Sequence, residues 1–434
     1  AGASQIVGIV ALTLILFDGG LSTRGDTVRP YAGRGVSLAT LGVVGTAGVT
    51  GVAASALLGV PVEVGLLLGA IVASTDSAAV FSVLRSRRSG LRDGVQPTLE
   101  LESGLNDPMA VFLTIGLVEI VSGASTTWLG FLALFVAQAG IGALAGVLAG
   151  HAGHLLLNRI RLDSDGLYPV LTLTLVFVTY AGTTLAGGSG FLAVFLCGAW
   201  LGNRDVIHGK SIGRFLDAVA WLAQITMFLV LGLLVSPSRL PAVAWSALAV
   251  TVVLVFVARP LATAVTLSPL RVPWRDQAII AWVGLRGATP IILATYPLVD
   301  DVPEAQTLFD VVFFVVLTSV LIQGTTVGVV ARLLGMDSDA PPRHDAPLEP
   351  GRPLPDGTTL RVIAIRPGTH ADGRALVDLG LPPDALLVLI ERDGTYLVPT
   401  GSTGLCAGDA VTVLANDTTF ADTRRLLERA QDAE

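Results

Sequence analysis

The stretch Leu66-Leu67-Leu68-Gly69-Ala70-Ile71-Val72-Ala73-Ser74-Thr75-Asp76-Ser77-Ala78-Ala79-Val80-Phe81 decides how this chain is to be read. An apolar run leads into three hydroxyls and a carboxylate, and a second apolar run comes after them. Over the whole chain, hydrophobic residues make up 52%, charged residues 14%, and the mean hydropathy is +0.72. A soluble domain carries about a quarter charged residues, so this is a membrane chain and the polar cluster falls in mid-span. Ser, Thr and Asp side chains compete for backbone hydrogen bonds and weaken a helix. A membrane tolerates a broken helix only where it lines a cavity. A break is therefore expected at about 74–77, with freed carbonyls as ligands for a hard monovalent cation. The competing reading is an ordinary helix whose hydroxyls bond back to carbonyls and whose Asp caps a neighbour.

On either side of this stretch, runs long enough to span a bilayer alternate with short polar joints. Eleven are expected, at 4–21, 36–60, 63–84, 98–121, 128–157, 166–186, 189–203, 215–235, 241–269, 277–298 and 307–331. The abundant Gly, 49 residues, suits close helix packing in lipid. Joints carrying Arg24, Arg29 and Arg34, then Arg85, Arg87, Arg88 and Arg92, Arg159 and Arg161, Arg204, Lys210 and Arg214, and Arg271 and Arg275 are basic. The joints between them hold only Arg239, Asp300, Asp301 and Glu304 as charges. Strict alternation fits the positive-inside rule and sets Ala1 outside. Residues 1–335 read as the membrane unit, 336–357 as a proline-rich linker, and 358–434 as a small cytoplasmic α/β domain. In that domain strands are expected at 359–365, 385–391, 395–398 and 410–414, turns at Asp393-Gly394 and Gly408-Asp409, and a helix at 418–431. The opening run lacks a signal peptide's basic flank and cleavage site, and the expectation is a chain missing upstream helices. The net charge of −7 gives no reason to expect nucleic acid, and two cysteines make no disulfide framework.

The chemistry is expected from ionisable residues inside the spans, which are costly in hydrocarbon. Asp76, Asp107 and Arg286 lie well inside, and Glu102 about one turn in. Asp18, Asp217 and Arg259 read as lying near helix ends, where capping or snorkelling accounts for them, and Glu119 as interfacial. In Thr98-Leu99-Glu100-Leu101-Glu102-Ser103-Gly104-Leu105-Asn106-Asp107-Pro108, helical spacing puts Ser103 and Asp107 on one face and Glu102 and Asn106 on the next. Pro108 removes a backbone bond near Gly104. A proton and a cation would compete for the Asp107 carboxylate, which is sufficient physics for exchange. Arg286 is expected to pair with Glu102, leaving Asp107 to titrate. Thr289-Pro290 marks a second break at 288–290, and two breaks in similar places suggest an inverted repeat with half-helices crossing at the midplane.

The runs Leu-Phe-Asp-Gly-Gly-Leu (16–21), Ser-Thr-Asp-Ser-Ala-Ala-Val-Phe-Ser (74–82), Glu-Ser-Gly-Leu-Asn-Asp-Pro-Met-Ala-Val-Phe (102–112), Trp-Val-Gly-Leu-Arg-Gly-Ala (282–288) and Phe-Phe-Val-Val-Leu-Thr-Ser (313–319) resemble the NhaP-type monovalent cation/proton antiporters. The resemblance is greatest to cell-volume-regulation protein A, a subgroup of potassium/proton antiporters with a C-terminal TrkA-C domain. Pro-Thr-Gly-Ser-Thr (399–403) and Ala-Gly-Asp (407–409) resemble that domain. The resemblance implies an all-α inverted-repeat antiporter fold with broken crossing helices, plus a small regulatory α/β domain. It implies that Asp107 carries the exchange, that Thr75, Asp76, Ser103 and Asn106 complete the cation site, and that Glu102 and Arg286 pair across helices. Asn before the essential Asp implies electroneutral exchange of K+ or Na+ for H+, serving ion, pH and volume homeostasis. A homodimer in a bacterial inner membrane, no cofactor, and a small-molecule regulator at the second domain are further implications.

Other classes fit less well. A ligand-gated cation channel would want repeated carbonyl filter motifs. A symporter for an organic solute would want more polar side chains around the site. A membrane enzyme would want a catalytic cluster, and His151, His154, His208, His344 and His370 lie near helix ends or in polar segments. Thr75, Asp76, Ser103 and Asp107 would serve potassium or sodium alike, so the residues leave the ion open.

Overall fold

The computed structural model describes residues 2–76, 90–91, 94–123, 128–162, 164, 166–338, 358–392 and 395–429. Ser77, the rest of the run to residue 84, the basic residues Arg85, Arg87, Arg88 and Arg92, most of the linker and the Asp393-Gly394 turn lie outside them. The chain forms two compact units, residues 1–340 and 341–434.

Among the described residues of the first unit, eight helices are long and apolar enough to cross a bilayer. They are α1 (Gly2–Ser22), α2 (Gly25–Leu58), α4 (Val95–Val121), α5 (Trp128–Arg159), α6 (Leu167–Leu185), α8 (Gly209–Leu233), α9 (Leu240–Leu267) and α12 (Ala305–Leu333). Three shorter apolar helices, α3 (Val62–Ile71), α7 (Gly190–Gly202) and α11 (Thr289–Val299), fall in the runs expected at 63–84, 189–203 and 277–298. The polar-ended α10 (Trp274–Trp282) precedes α11 in the last of these.

Lipid gives helices no hydrophobic reason to associate, so close approach through small residues holds such a bundle together. The α1–α7 contact works this way: a Cβ on Gly198 would strike the Phe17 carbonyl and stand 3.0 Å from the Leu21 amide. The main apolar core gathers Leu68 and Ile71 of α3, Val111 of α4, Ile291 and Ile292 of α11, and Phe309 and Val312 of α12. It clamps the short helices between long ones. Helix α4 runs unbroken through Pro108. Helix α9 contains a π turn at Leu254–Ala258, directly before Arg259. One extra residue in a turn changes which face the subsequent residues present, and such turns recur at functional sites.

A two-residue antiparallel pairing joins β1 (Gly90–Leu91) to β2 (Asp337–Ser338). The second unit is a four-stranded antiparallel sheet of β3 (Thr359–Ala364), β4 (Leu386–Arg392), β5 (Thr395–Leu397) and β6 (Ala410–Ala415), in the order β3-β6-β4-β5. Helix α13 (Asp417–Glu428) closes it, capped by the Asn416 side chain on the Thr419 amide. The turn before β6 uses Gly408 at φ 97°. Arg392 grips Asp409 with two bonds, 2.8 and 2.7 Å, and the Cys406 amide donates to the same carboxylate. Burial pushes Asp409 up, but the Arg392 bonds and the Cys406 amide outweigh it and hold the carboxyl below its ordinary range.

Candidate functional site

Helix α3 stops at Ile71 and the chain through residue 76 leaves the helical path. Helix α10 stops at Trp282, and α11 begins only at Thr289. The two unwound segments cross. The Asp76 amide donates to the Leu285 carbonyl at 2.8 Å. A Cβ on Gly287 would stand 2.7 Å from the Asp76 Cβ, so glycine is what permits the approach. The first break covers Ser74 to Asp76 as expected but opens two residues earlier, at Val72, and Ser77 lies outside the described residues. The second starts earlier than 288–290, because Gly284 and Gly287 weaken the helix before Pro290 is reached. Pro290 instead occupies the first turn of α11, where its missing N–H is harmless.

The side chains of α4 close on the crossing. Ser103 Oγ and Asn106 Nδ2 donate to the Thr75 carbonyl at 3.1 and 3.2 Å, and Asn106 Nδ2 also reaches Thr75 Oγ1 at 2.6 Å. Asn106 Oδ1 is buried and has no hydrogen-bond partner among the described residues. Asp107, one residue on and 8% exposed, accepts from Thr289 Oγ1 at 3.1 Å through Oδ2. Asp76 accepts from Gln224 Nε2 at 3.4 Å. Thr75, Ser103 and Asn106 are thus gathered round one carbonyl, while Asp76, Asp107 and Thr289 face a common space.

Two expectations need correcting. The carbonyls of residues 73 to 75 are not left unpaired by the break: those of Ala73 and Ser74 receive Arg286 Nη1 at 2.6 and 2.7 Å, and that of Thr75 receives Ser103 and Asn106. A helix C-terminus exposes unsatisfied carbonyls with partial negative charge, so the guanidinium caps α3 rather than a carboxylate. The Glu102–Arg286 pair accordingly does not form. Glu102, fully buried, pairs with Arg259: Nη1 meets Oε1 closely and Nη2 meets Oε2 at 2.9 Å. Arg259 is only 2% exposed and lies eight residues before the end of α9 at Leu267, about 12 Å by helical rise. That is too deep to snorkel.

A cavity of about 420 Å³ opens beside the crossing. Its wall carries five carboxylates, Asp18, Asp76, Glu100, Asp107 and Asp217, and no Arg, Lys or His among the described residues. Exposed Gly19, Ser22 and Asp217 mark one end, and buried Asp107 the other. The exposed end faces the side of the bundle that bears the basic joints, since Ser22, Glu100 and Asp217 all lie toward the ends adjoining them. Beyond Asp107 the next residues are apolar and buried, Met109 to Phe112 on α4 and Ile291 to Leu293 on α11. A low-dielectric cleft lined by one sign of charge concentrates cations at its inner end. Asp18 and Asp217, read from sequence as end-capping residues, are part of this wall.

Thr289, Gln224 and Arg259 escaped the sequence reading as site neighbours. Thr289 stood out only as part of a break, and Gln224 sits in a plain apolar run. Arg259 carried a usable signal: Arg-Pro in the interior of a 28-residue apolar helix.

Broken helices that cross beside a buried carboxylate, at the end of an acid-walled cavity open to one face of the bundle, are the hallmark of a secondary transporter for cations. Residues 3–333 match the family described as sodium/hydrogen exchanger, transmembrane, and residues 360–428 match the TrkA-C domain. The chain belongs to the sodium/hydrogen exchanger family and is a multi-pass membrane cation/proton antiporter. It is 40% identical over 429 residues to a K(+)/H(+) antiporter NhaP of Alkalimonas amylolytica, covering 98% of this chain and 74% of that one. It is 39% identical over 434 residues to the K(+)/H(+) antiporter NhaP2 of Shewanella baltica, covering 99% and 74%. The sodium proton antiporter MjNhaP1 of Methanocaldococcus jannaschii, solved at pH 8, superposes with a TM-score of 0.67 at 26% identity, covering 76% of this chain and 85% of that one.

Proposed function

We propose that the protein exchanges K+ for H+ one for one, and that Asp107 is the group on which the two compete. The observation that carries this reading is the position of Asp107: buried at the crossing, yet on the wall of the acid-lined cavity. A cation arriving along Asp18 and Asp217 finds oxygen ligands in Asp76 and Asp107, with Thr75, Ser103 and Asn106 fixing the geometry. A proton on Asp107 removes the charge that holds the cation. A single exchanging carboxylate, Asp107, carries either one cation or one proton, so the cycle moves no net charge. The buried Glu102–Arg259 pair and the Arg286 cap are structural.

The cavity opens toward the basic joints and is closed beyond Asp107, which supports an inward-open state in a bacterial inner membrane with residues 358–434 in the cytoplasm. In this reading residues 1–335 exchange ions, 336–357 link, and the TrkA-C domain regulates through a small ligand in a homodimer. The protein is then a carrier and catalyses no covalent step. Potassium is favoured because the relatives at 39–40% identity are K(+)/H(+) antiporters. The sodium proton antiporter of like fold supports the same mechanism with Na+ as the second reading. The test is proteoliposomes with an internal pH dye, pulsed with K+ or Na+, comparing wild type with Asp107→Asn. Potassium-driven alkalinisation lost in the variant is expected. Response to sodium alone would replace the ion, and an unchanged variant would remove Asp107 from the mechanism.

A further inference from the structure

The motif at 313–319 ends on Ser319, a residue the exchange chemistry leaves without a role. Ser319 and Gln323 stand one helical turn apart on α12, both buried. Ser319 Oγ gives its proton to Gln323 Oε1 at 2.6 Å, which leaves the hydroxyl oxygen as an acceptor. That oxygen takes the Arg286 amide at 3.0 Å. The Gln323 amide nitrogen donates to the Trp282 carbonyl at 2.9 Å. One unbroken chain of bonds therefore runs from the last carbonyl of α10 to the amide of Arg286, bridging an unwound segment that cannot satisfy these groups itself.

Each bond has a fixed direction. The Trp282 carbonyl can only accept, so Gln323 turns its nitrogen to Trp282 and its oxygen to Ser319, and the Ser319 hydroxyl then donates to Gln323 while its oxygen accepts the Arg286 amide. The segment so held is the one whose Leu285 carbonyl takes the Asp76 amide and whose Arg286 side chain caps α3. Three residues beyond Arg286, Thr289 puts its hydroxyl on Asp107. We infer that Ser319 and Gln323 are positioning residues for exchange: from outside the cavity, they set where Thr289 meets Asp107 and hence how tightly the cation is held. Neither residue lines the cavity, so the effect is transmitted through the backbone from 282 to 289.

This inference rests on Asp107 being the exchanging carboxylate, and the two fail separately. Exchange surviving in Asp107→Asn removes the carboxylate. The positioning role is tested in proteoliposomes of the full chain, by titrating K+ and Na+ in Ser319→Ala, Thr289→Val and the double variant. Ser319→Ala removes two buried hydrogen bonds and Thr289→Val one; each is expected to shift the half-saturating cation concentration about fivefold through the bond on Asp107, with the maximal rate of Ser319→Ala within about twofold. If Ser319 acts through Thr289, the double variant shifts no further than either single one. Unchanged half-saturation in Ser319→Ala, or two shifts that multiply, overturns the inference. Should Ser319→Ala not fold, Gln323→Met breaks the same chain at its other member, and the cycle with Thr289→Val is read by the same criteria.

Discussion

Replacing Glu102 by Gln should destabilise the membrane unit far more than it alters ion handling. Both members of the Glu102–Arg259 pair are buried, with exposures of 0% and 2%. Without the carboxylate, the Arg259 guanidinium keeps its bond to the Ile280 carbonyl at 3.3 Å but loses its counter-charge. Breaking a buried pair from one side costs about 3–5 kcal/mol, because it leaves the other charge uncompensated. For a unit this large, that is a fall in melting temperature of roughly 4–7 °C. The assay is tryptophan-fluorescence melting in detergent on Glu102→Gln, Arg259→Met and the double variant. Replacing both members by residues of similar volume is expected to recover most of the loss, so the coupling between 102 and 259 should be about 3 kcal/mol. The same cycle with Arg286→Met should show weaker coupling than with Arg259, since Arg286 bonds the Ala73 and Ser74 carbonyls rather than the carboxylate. A fall below about 2 °C in Glu102→Gln, or coupling larger with 286 than with 259, would refute the assignment.

Gly287→Ala should lower K+-driven proton flux roughly 10- to 100-fold with the protein still folded, because the new methyl displaces the Asp76 side chain; wild-type flux would mean the crossing can widen at no penalty. Asp18→Asn and Asp217→Asn should each raise the half-saturating cation concentration by about two- to fivefold at low ionic strength, and the difference should shrink in choline chloride, as expected for attraction into an acid-walled cleft. In the C-terminal unit, Asp409 is held below its ordinary range. Its stabilising contribution is therefore complete above the unfolded value and is lost as pH falls through the folded one. Protection factors of the amides at residues 404–411 of the full chain, taken relative to the intrinsic exchange rate at each pH, should fall on acidification through the carboxylate range, and Asp409→Asn should remove that dependence.

The breaks were legible because polar residues inside an apolar run have few uses in lipid. Ser74-Thr75-Asp76 announced the first, and the glycines and Pro290 announced the second, though not its start. The strands of the small domain were legible from alternation and turn residues, to within a residue or two at each end. Partner choice was not legible. Pairing Glu102 with Arg286 came from supposing that buried charges seek each other. An unwound helix end offers carbonyls that serve an arginine as well, and sequence does not reveal which of two arginines reaches which acceptor. The depth of Arg259 was hidden for a related reason: the π turn at Leu254–Ala258 reorients the rest of the helix, and a run of Leu, Val and Phe carries no mark of such a turn.

Much of the crossing is knitted through bonds with a main-chain atom on at least one side. Leu285 takes an amide, Arg286 takes the carbonyls of residues 73 and 74, and Ser103 and Asn106 take that of residue 75. Main-chain groups are the same whatever residue supplies them, so side chains at 74 and 75 can change without dissolving the scaffold. Frame and side chains are in this way separable. A hydroxyl on this stretch can give way to another small group while the frame that presents it stays as it was.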